Sequence, residues 1–538
     1  MNEWERITIT LLATALYFAA GARMLGAMQC CGYKNARFHA WLKRRDNLWY
    51  NRLCLLFTML LLSCALCSLS FSFLGAVVAK WISLVPFAFF VALFCVTESK
   101  SPVKVPFVST GRIRRLGAAY AFLLALALYI IVAVFAALEK VIPGNLYPIF
   151  SLLPICAAPL FLPFLFEFAN LISCAFETPR NAKFARRAAE KLKTARENGC
   201  VVIGVTGSYG KTSVKNVLAA ILSEKYRVCA TPESYNTPVG IAKTIESAAF
   251  DGAQVFIAEM GAAKAGDIKE LCDLYPIDYG VFTGVCRQHS ETFGSAEEIF
   301  AEKRLIIGRA AKKAICGAAV YEDFGDKLTA EEMKKCVFVP RGAAKNVGGF
   351  PLKTEFDLSL NVGGKIETRR VETPILGRGA AENIALAAYA AAEIGLSAEE
   401  IFAGISRAKP VPHRLQLIEE NGVYVLDDGY NASEKSAAQA LEVLSAFSGR
   451  KYVVTPGVVE TGVEDTAINR PLGAKLAAFD GVFLHEGATA VKEGDLTAGG
   501  KEENLRLYRT RDEVIPLLGA LLAEGDAVLF LNDLPAIY

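Results

Sequence analysis

The sequence predicts an α-helical membrane region followed by α/β domains built on a phosphate loop. Three observations predict it. Hydrophobic residues make up 53% of the 538 positions and concentrate in the first third. From Val201 onward, short apolar strands alternate with helical segments, the pattern of a parallel sheet with helical crossovers. The run Gly207-Ser-Tyr-Gly210-Lys211-Thr212 joins the first of those strands to the first of those helices. A net charge of +3 gives no global field for nucleic acid, and 21% charged residues in so apolar a chain exclude disorder.

Five apolar stretches approach or exceed the length of a bilayer crossing, about 20 helical residues. They are 7–28, 53–72, 78–97, 116–138 and 146–172, the last rich in Pro and Phe and expected to kink at Pro154, Pro159 or Pro163. The start, Met-Asn-Glu-Trp-Glu-Arg, has no basic head, so the first stretch reads as a retained helix. Basic loops carry Lys34, Arg37, Lys43, Arg44, Arg45 and Arg52, then Lys100, Lys104, Arg112, Arg114 and Arg115, then Arg180, Lys183, Arg186 and Arg187. Five crossings with the N-terminus outside put all three in the cytoplasm, and residues 180–538 with them. Residues 178–199 read as a basic helix, either a solvated linker or one lying on anionic lipid. Six cysteines beyond residue 176 lack metal spacing and suit a reducing cytosol.

VVIGVT at 201–206 is the strand that feeds the glycine loop, and SVKNVLAAILSEKY continues the helix after it. Loop amides and the helix N-terminus can face phosphate oxygens. Lys211 reaches the β/γ-phosphates in this pattern, and the Thr212 hydroxyl holds Mg²⁺. The match to the general pattern has one gap, since Val205 stands at the first glycine position. A second strand, AQVFIAEM, ends near Glu259, where a neighbouring strand's carboxylate faces the metal. His289 follows a third apolar run, YGVFTGV. Taken alone it is as much a structural hydrogen-bonder as a ligand, Lys303 is a surface helix lysine, and Asp427-Asp428-Gly429 is a turn after the strand VYVL.

These residues reach a family. GVTGSYGKTSVKN at 204–216 resembles the loop of the Mur ligases, the ATP-dependent amide ligases that build the peptidoglycan stem peptide. TPESYNTPVGI, AEMGAAKAGDIKELC, TGVCRQHSETFGSAEEIFAEK, LGRGAAENIALAAYAAAEIG, HRLQ and VLDDGYNAS follow in the family's order. The last is most like the branch that adds D-alanyl-D-alanine. The resemblance covers about 200–538. It implies a phosphate-loop central domain at 201–412 and a Rossmann-like C-terminal domain at 413–538, after a transmembrane region at 1–176 and a basic linker helix at 177–200.

The resemblance also implies roles. Gly207, Ser208, Gly210, Lys211 and Thr212 bind ATP, with Asn383 beside adenine, Arg414 reaching ATP, and Asp428 on the ribose. Glu259, His289 and Lys303, carbamylated to an anion, look like ligands of a second Mg²⁺. Asn236 and Thr237 face metal and acceptor. Lys211, Lys303 and His289 are the implied catalytic set. The implied reaction is acyl-phosphate formation on UDP-N-acetylmuramoyl-tripeptide, then attack by D-alanyl-D-alanine. The lipid bilayer and other membrane proteins of wall synthesis are the further implied partners. The sequence departs from the family in three places. Membrane helices stand where the UDP-holding domain belongs, Gly379 stands where a histidine is common, and the Lys-Gly-Ser pattern near the end is missing. Two alternatives stay open: the same chemistry on a lipid-linked or other carboxylate with a different amine, and a nucleotide-binding membrane scaffold without turnover.

Overall fold

The computed structural model describes residues 3–43, 49–74, 76–99, 107–138, 141, 147–286, 293, 295–430, 433–459 and 461–533. Two compact units divide at Asn181 and Ala182.

The first unit is helical throughout its described elements. Its helices include Glu3–Ala20, Ala22–Cys30, Trp49–Leu74, Ala76–Ser99 and Gly111–Leu138, and the helix Tyr147–Glu197 starts in it. Helical structure continues through Pro154, Pro159 and Pro163. Among the described residues two helices, Gly111–Leu138 and Ile155–Glu197, are long and apolar enough to cross a membrane. Glu3–Ala20 with Ala22–Cys30, bent by 42°, makes a third if the pair is one span. The described residues of four of the five apolar stretches thus fall each in one helix and 7–28 spans the bent pair, while two or three meet the length and hydropathy of a span. Phe122, Leu126, Ile130 and Val134 repeat every four residues and are exposed, Phe122 at 67%. Such spacing sets one apolar stripe outward on a helix. Polar groups gather at one level instead. Asn170, buried, donates to Asn35 Oδ1 at 2.6 Å and to the Tyr33 carbonyl at 3.0 Å, and His39 meets Glu167 at 3.2 Å.

In the second unit, β1 (Val201–Thr206), β2 (Val228–Ala230), β3 (Val255–Glu259), β4 (Tyr279–Phe282), β5 (Lys313–Cys316) and β6 (Cys336–Phe338) form one parallel sheet in the order β2-β3-β1-β4-β5-β6. Strand alternation divides its two faces. Ile203, Val205, Val255 and Ile257 pack under the helices Lys211–Leu222, Arg378–Ile394 and Ala398–Arg407. Val202, Phe256 and Ala258 pack on the other face with Ile241, Ile268 and Leu192. The chain leaves β1 toward one edge and returns to β4 on its other side, so strand order reverses around β1. Ligands bind at the carboxyl ends of strands at such a switch point. Here those ends lead to the glycine loop, to Glu259 and to Thr283.

A smaller antiparallel sheet, β7 (Ala344–Gly348), β8 (Thr354–Val362) and β9 (Lys365–Thr373), buries Phe356, Leu358 and Leu360 in the first of these cores. Sequence reading did not anticipate it. The last sheet runs β10-β11-β15-β12-β13-β14, built from β10 (Gln416–Glu420), β11 (Val423–Asp428), β12 (Lys451–Thr455), β13 (Gly481–His485), β14 (Leu505–Tyr508) and β15 (Ala527–Leu531). Only the β10–β11 pair is antiparallel.

Close helix packing over β1 sets the position of the loop helix. A methyl group on Gly404 would run into the Ile221 backbone. Gly404→Ala is therefore expected to cost about 1–3 kcal/mol through forced backbone movement. A thermal or denaturant melt that matched the parent would contradict this packing.

Candidate functional site

Between β1 and the helix Lys211–Leu222 the backbone turns through two left-handed glycines, Gly207 at φ 151 and Gly210 at φ 74. Neither accepts a side chain. A Cβ on Gly207 would collide with the Thr283 hydroxyl, and one on Gly210 would lie 2.6 Å from Asn383 Oδ1. Asn383 therefore stands directly over the loop. The Ser208 amide donates to the Gly284 carbonyl at 2.8 Å. Its hydroxyl is buried without a hydrogen-bond partner among the described residues, as fits a group that a ligand oxygen satisfies.

Lys211 donates to the carbonyls of Gly207 at 2.7 Å and Ser208 at 3.4 Å, so its ammonium lies folded over its own loop. Burial holds its pKa below the usual lysine value, against the pull of Glu259. The Thr212 hydroxyl donates to Glu259 Oε2 at 3.0 Å. The same oxygen accepts from Lys215 at 3.2 Å, and Asn236 donates to Oε1 at 3.4 Å. Glu259 is 1% exposed. Hydroxyl and carboxylate oxygens side by side at a loop of this kind suit a hard cation such as Mg²⁺, which takes one or two protein oxygens and completes its shell with water and phosphate.

Lys303 ends the helix Ala296–Lys303 and is 2% exposed. Burial, helped by the charge of Lys211, brings its ammonium down to about 7. It is a buried lysine of the site, not the surface lysine that spacing alone implies. Its neighbour Glu302 is structural, accepting from the amides of Gly266 at 2.8 Å and Ile268 at 2.7 Å.

Beyond the sheet, Arg414 donates to the Tyr430 carbonyl at 2.6 Å and lies 4.6 Å over its ring. Asp428, buried, accepts from the Leu415 amide at 3.1 Å. Burial pushes its carboxyl up to about 7 despite Arg414. His413 and Leu415, at φ 59 and 48, hold left-handed conformations on either side of Arg414. His413 meets Asp427 at 2.7 Å.

The structure thus gathers Gly207, Ser208, Gly210, Lys211, Thr212, Asn236, Glu259 and Asn383 at the carboxyl edge of the first sheet. Lys303 and Arg414 join them through the charges of Lys211 and Glu259. Thr237 caps the helix Pro238–Ile245, its hydroxyl accepting from the Gly240 amide at 3.2 Å. His289 lies outside the described residues. Sequence reasoning missed Lys215, whose only signal is a lysine four residues after Lys211 on a buried helix face. It missed Lys435, which pairs with Glu382 at 2.8 Å and stands 5.2 Å from the Tyr209 ring. It also missed Gln439, whose side chain fills the space beside Gly379.

Residues 205–392 match the Mur ligase middle domain. The chain is 30% identical over 346 residues to the UDP-N-acetylmuramoyl-tripeptide--D-alanyl-D-alanine ligase of Escherichia coli K12, covering 61% of this chain and 73% of that one. It is 29% identical to the Bacillus subtilis protein of the same name, covering 62% and 73%. Among solved structures, MurF ligase from Thermotoga maritima in complex with ADP superimposes with a TM-score of 0.57 at 26% identity, over 66% of this chain and 81% of that one.

Proposed function

The chain belongs to the Mur ligase family, and from that premise we propose that it is the ATP-dependent ligase that joins D-alanyl-D-alanine to UDP-N-acetylmuramoyl-tripeptide. The observation that carries the reading is the convergence of Lys211, Thr212, Glu259 and Asn383 on one loop, in a chain whose relatives bear that name. An acceptor carboxylate oxygen attacks the γ-phosphorus of ATP and ADP leaves, giving an acyl phosphate. The amine nitrogen then attacks the acyl carbon, phosphate departs, and the nitrogen loses a proton. Lys211 moves from its loop carbonyls onto the transferring phosphate, and the loop amides take up charge. Asn383 and Asp428 hold adenine and ribose, Arg414 closes over the phosphates, and Asn236 and Thr237 face the acceptor. Thr212 and Glu259 would hold a first Mg²⁺, and Glu259, His289 and carbamylated Lys303 a second, which together neutralise phosphate charge. No protein nucleophile takes part.

The apolar helices of the first unit, with the basic segments between them, support a multi-pass membrane protein with its ligase domains on the cytoplasmic side. Their outward stripe, on helices that precede the matched domain, also favours a second reading, in which the acceptor is lipid-linked. Phosphate release by the purified full chain, with acceptors offered singly and with or without D-alanyl-D-alanine, separates the two. Turnover that requires the UDP-linked tripeptide and the dipeptide is the expected result. Turnover with a lipid-linked acceptor alone establishes the second reading, and nucleotide binding without turnover on any acceptor leaves a scaffold.

A further inference from the structure

Lys215 lies in the run 204–216 with no role implied there, yet it is fully buried beside the metal-side carboxylate. Its ammonium donates to Glu259 Oε2 at 3.2 Å and to the backbone carbonyl of Glu233. Glu233 is left-handed, at φ 43, a conformation that a glutamate rarely adopts without outside support. The residues that follow carry the acceptor-facing side of the site. The Ser234 hydroxyl meets the Tyr430 hydroxyl at 2.6 Å, and Asn236 donates to the second oxygen of Glu259. The Asn236 carbonyl accepts from the Gly261 amide at 3.0 Å, and the Thr231 hydroxyl accepts from the Glu259 amide at 3.0 Å. Segment 231–237 is thus held on its inner side by the Lys215–Glu259 pair and on its outer side by Tyr430.

We infer that Lys215 is a positioning residue that fixes segment 231–237 against Glu259 and so registers the acceptor side of the site to the phosphate loop. An ion pair that merely filled the core would need only Glu259, and apolar side chains of similar volume would serve as well. The second partner, a carbonyl in a left-handed turn, is what a pair tying down this segment requires. The acceptor side of the site rests on the proposed ligase function; the restraint on the segment does not.

The test joins amide hydrogen exchange with kinetics on the full chain. Lys215→Met is expected to speed exchange across 231–237 by about tenfold or more, with protection in the helix 211–222 retained. The acceptor KM rises about tenfold while the ATP KM stays within about threefold. Lys215→Met leaves Glu259 charged and unpaired, so Lys215→Met/Glu259→Gln, which removes both charges, is compared with Glu259→Gln alone by the same exchange measurement. Parent-like exchange across 231–237 in a folded variant overturns the inference, as does a proportional rise in both KM values. If no acceptor supports turnover in the parent, the ligase reading fails while exchange still decides the role of Lys215.

Discussion

Lys211→Ala lowers kcat by about a hundred- to a thousandfold, the range seen when one preorganised charge-stabilising donor is removed, and leaves the fold intact. The two effects separate because of what Lys211 touches. Among the described residues it bonds to carbonyls of its own loop, at Gly207 and Ser208. Two such bonds contribute about 1.5–3 kcal/mol each at most when the donor is charged. Their loss is offset by relief of a buried cation, whose depressed pKa records its desolvation. Phosphate release and thermal melting, measured side by side, check both halves. A variant that melts with the parent and still releases phosphate at the parental rate contradicts the role given to Lys211.

Lys303 makes the second large effect. A lysine whose ammonium is brought down to about 7 offers neutral amine at physiological pH. Neutral amine is what attacks carbon dioxide, forming the N–C bond and releasing a proton to leave a carbamate. Isotope-labelled bicarbonate is therefore expected to give a carbamate signal that Lys303→Met removes, and the variant loses about a hundredfold in kcat or more. Short carboxylic acids restore part of the activity of Lys303→Ala by replacing the missing anion. The pH dependence has a definite sign. Between about 7 and the ordinary lysine value of 10.5 the unfolded chain holds a proton that the folded chain lacks. Stability of the unmodified protein therefore rises with pH through that window, and the burial penalty is fully present below it. In bicarbonate-free buffer below pH 7, Lys303→Met should melt above the parent. A parent that outlasts the variant there, with no carbamate at any pH, contradicts both expectations.

Much of this site is legible in the sequence because its chemistry is local. The strand 201–206, the loop glycines, Lys211 and Thr212 lie within a dozen positions, and their order alone fixes their geometry. Glu259 is readable because a strand end has one direction. Lys303 is not readable from spacing, since its burial comes from the tertiary packing around its helix. Lys215 is hidden for the same reason: helix periodicity marks its face as inward but cannot name Glu259 or Glu233 as what it meets. Gly379 shows the converse. The sequence displays a missing side chain, and only the fold brings Gln439, sixty positions on, into its place. The antiparallel sheet β7–β9 was missed because its alternating strands lie inside a region of helices and turns. In the first unit, composition marks the apolar stretches, while helix length and hydropathy among the described residues narrow the clear spans to two or three.

The measurement that bears most directly on one centre performing acyl phosphorylation and amide formation is oxygen transfer. The acceptor carboxylate is labelled with heavy oxygen, and ADP, phosphate and the amide product are analysed after turnover with the dipeptide. The expected result is ADP with half of the carboxylate label in inorganic phosphate and half in the new amide carbonyl. Unlabelled phosphate would mean that water, not the acceptor, attacks ATP, and label in AMP would mean that the carboxylate is activated by adenylation; either result contradicts the ligase mechanism assigned to Lys211, Glu259 and Lys303.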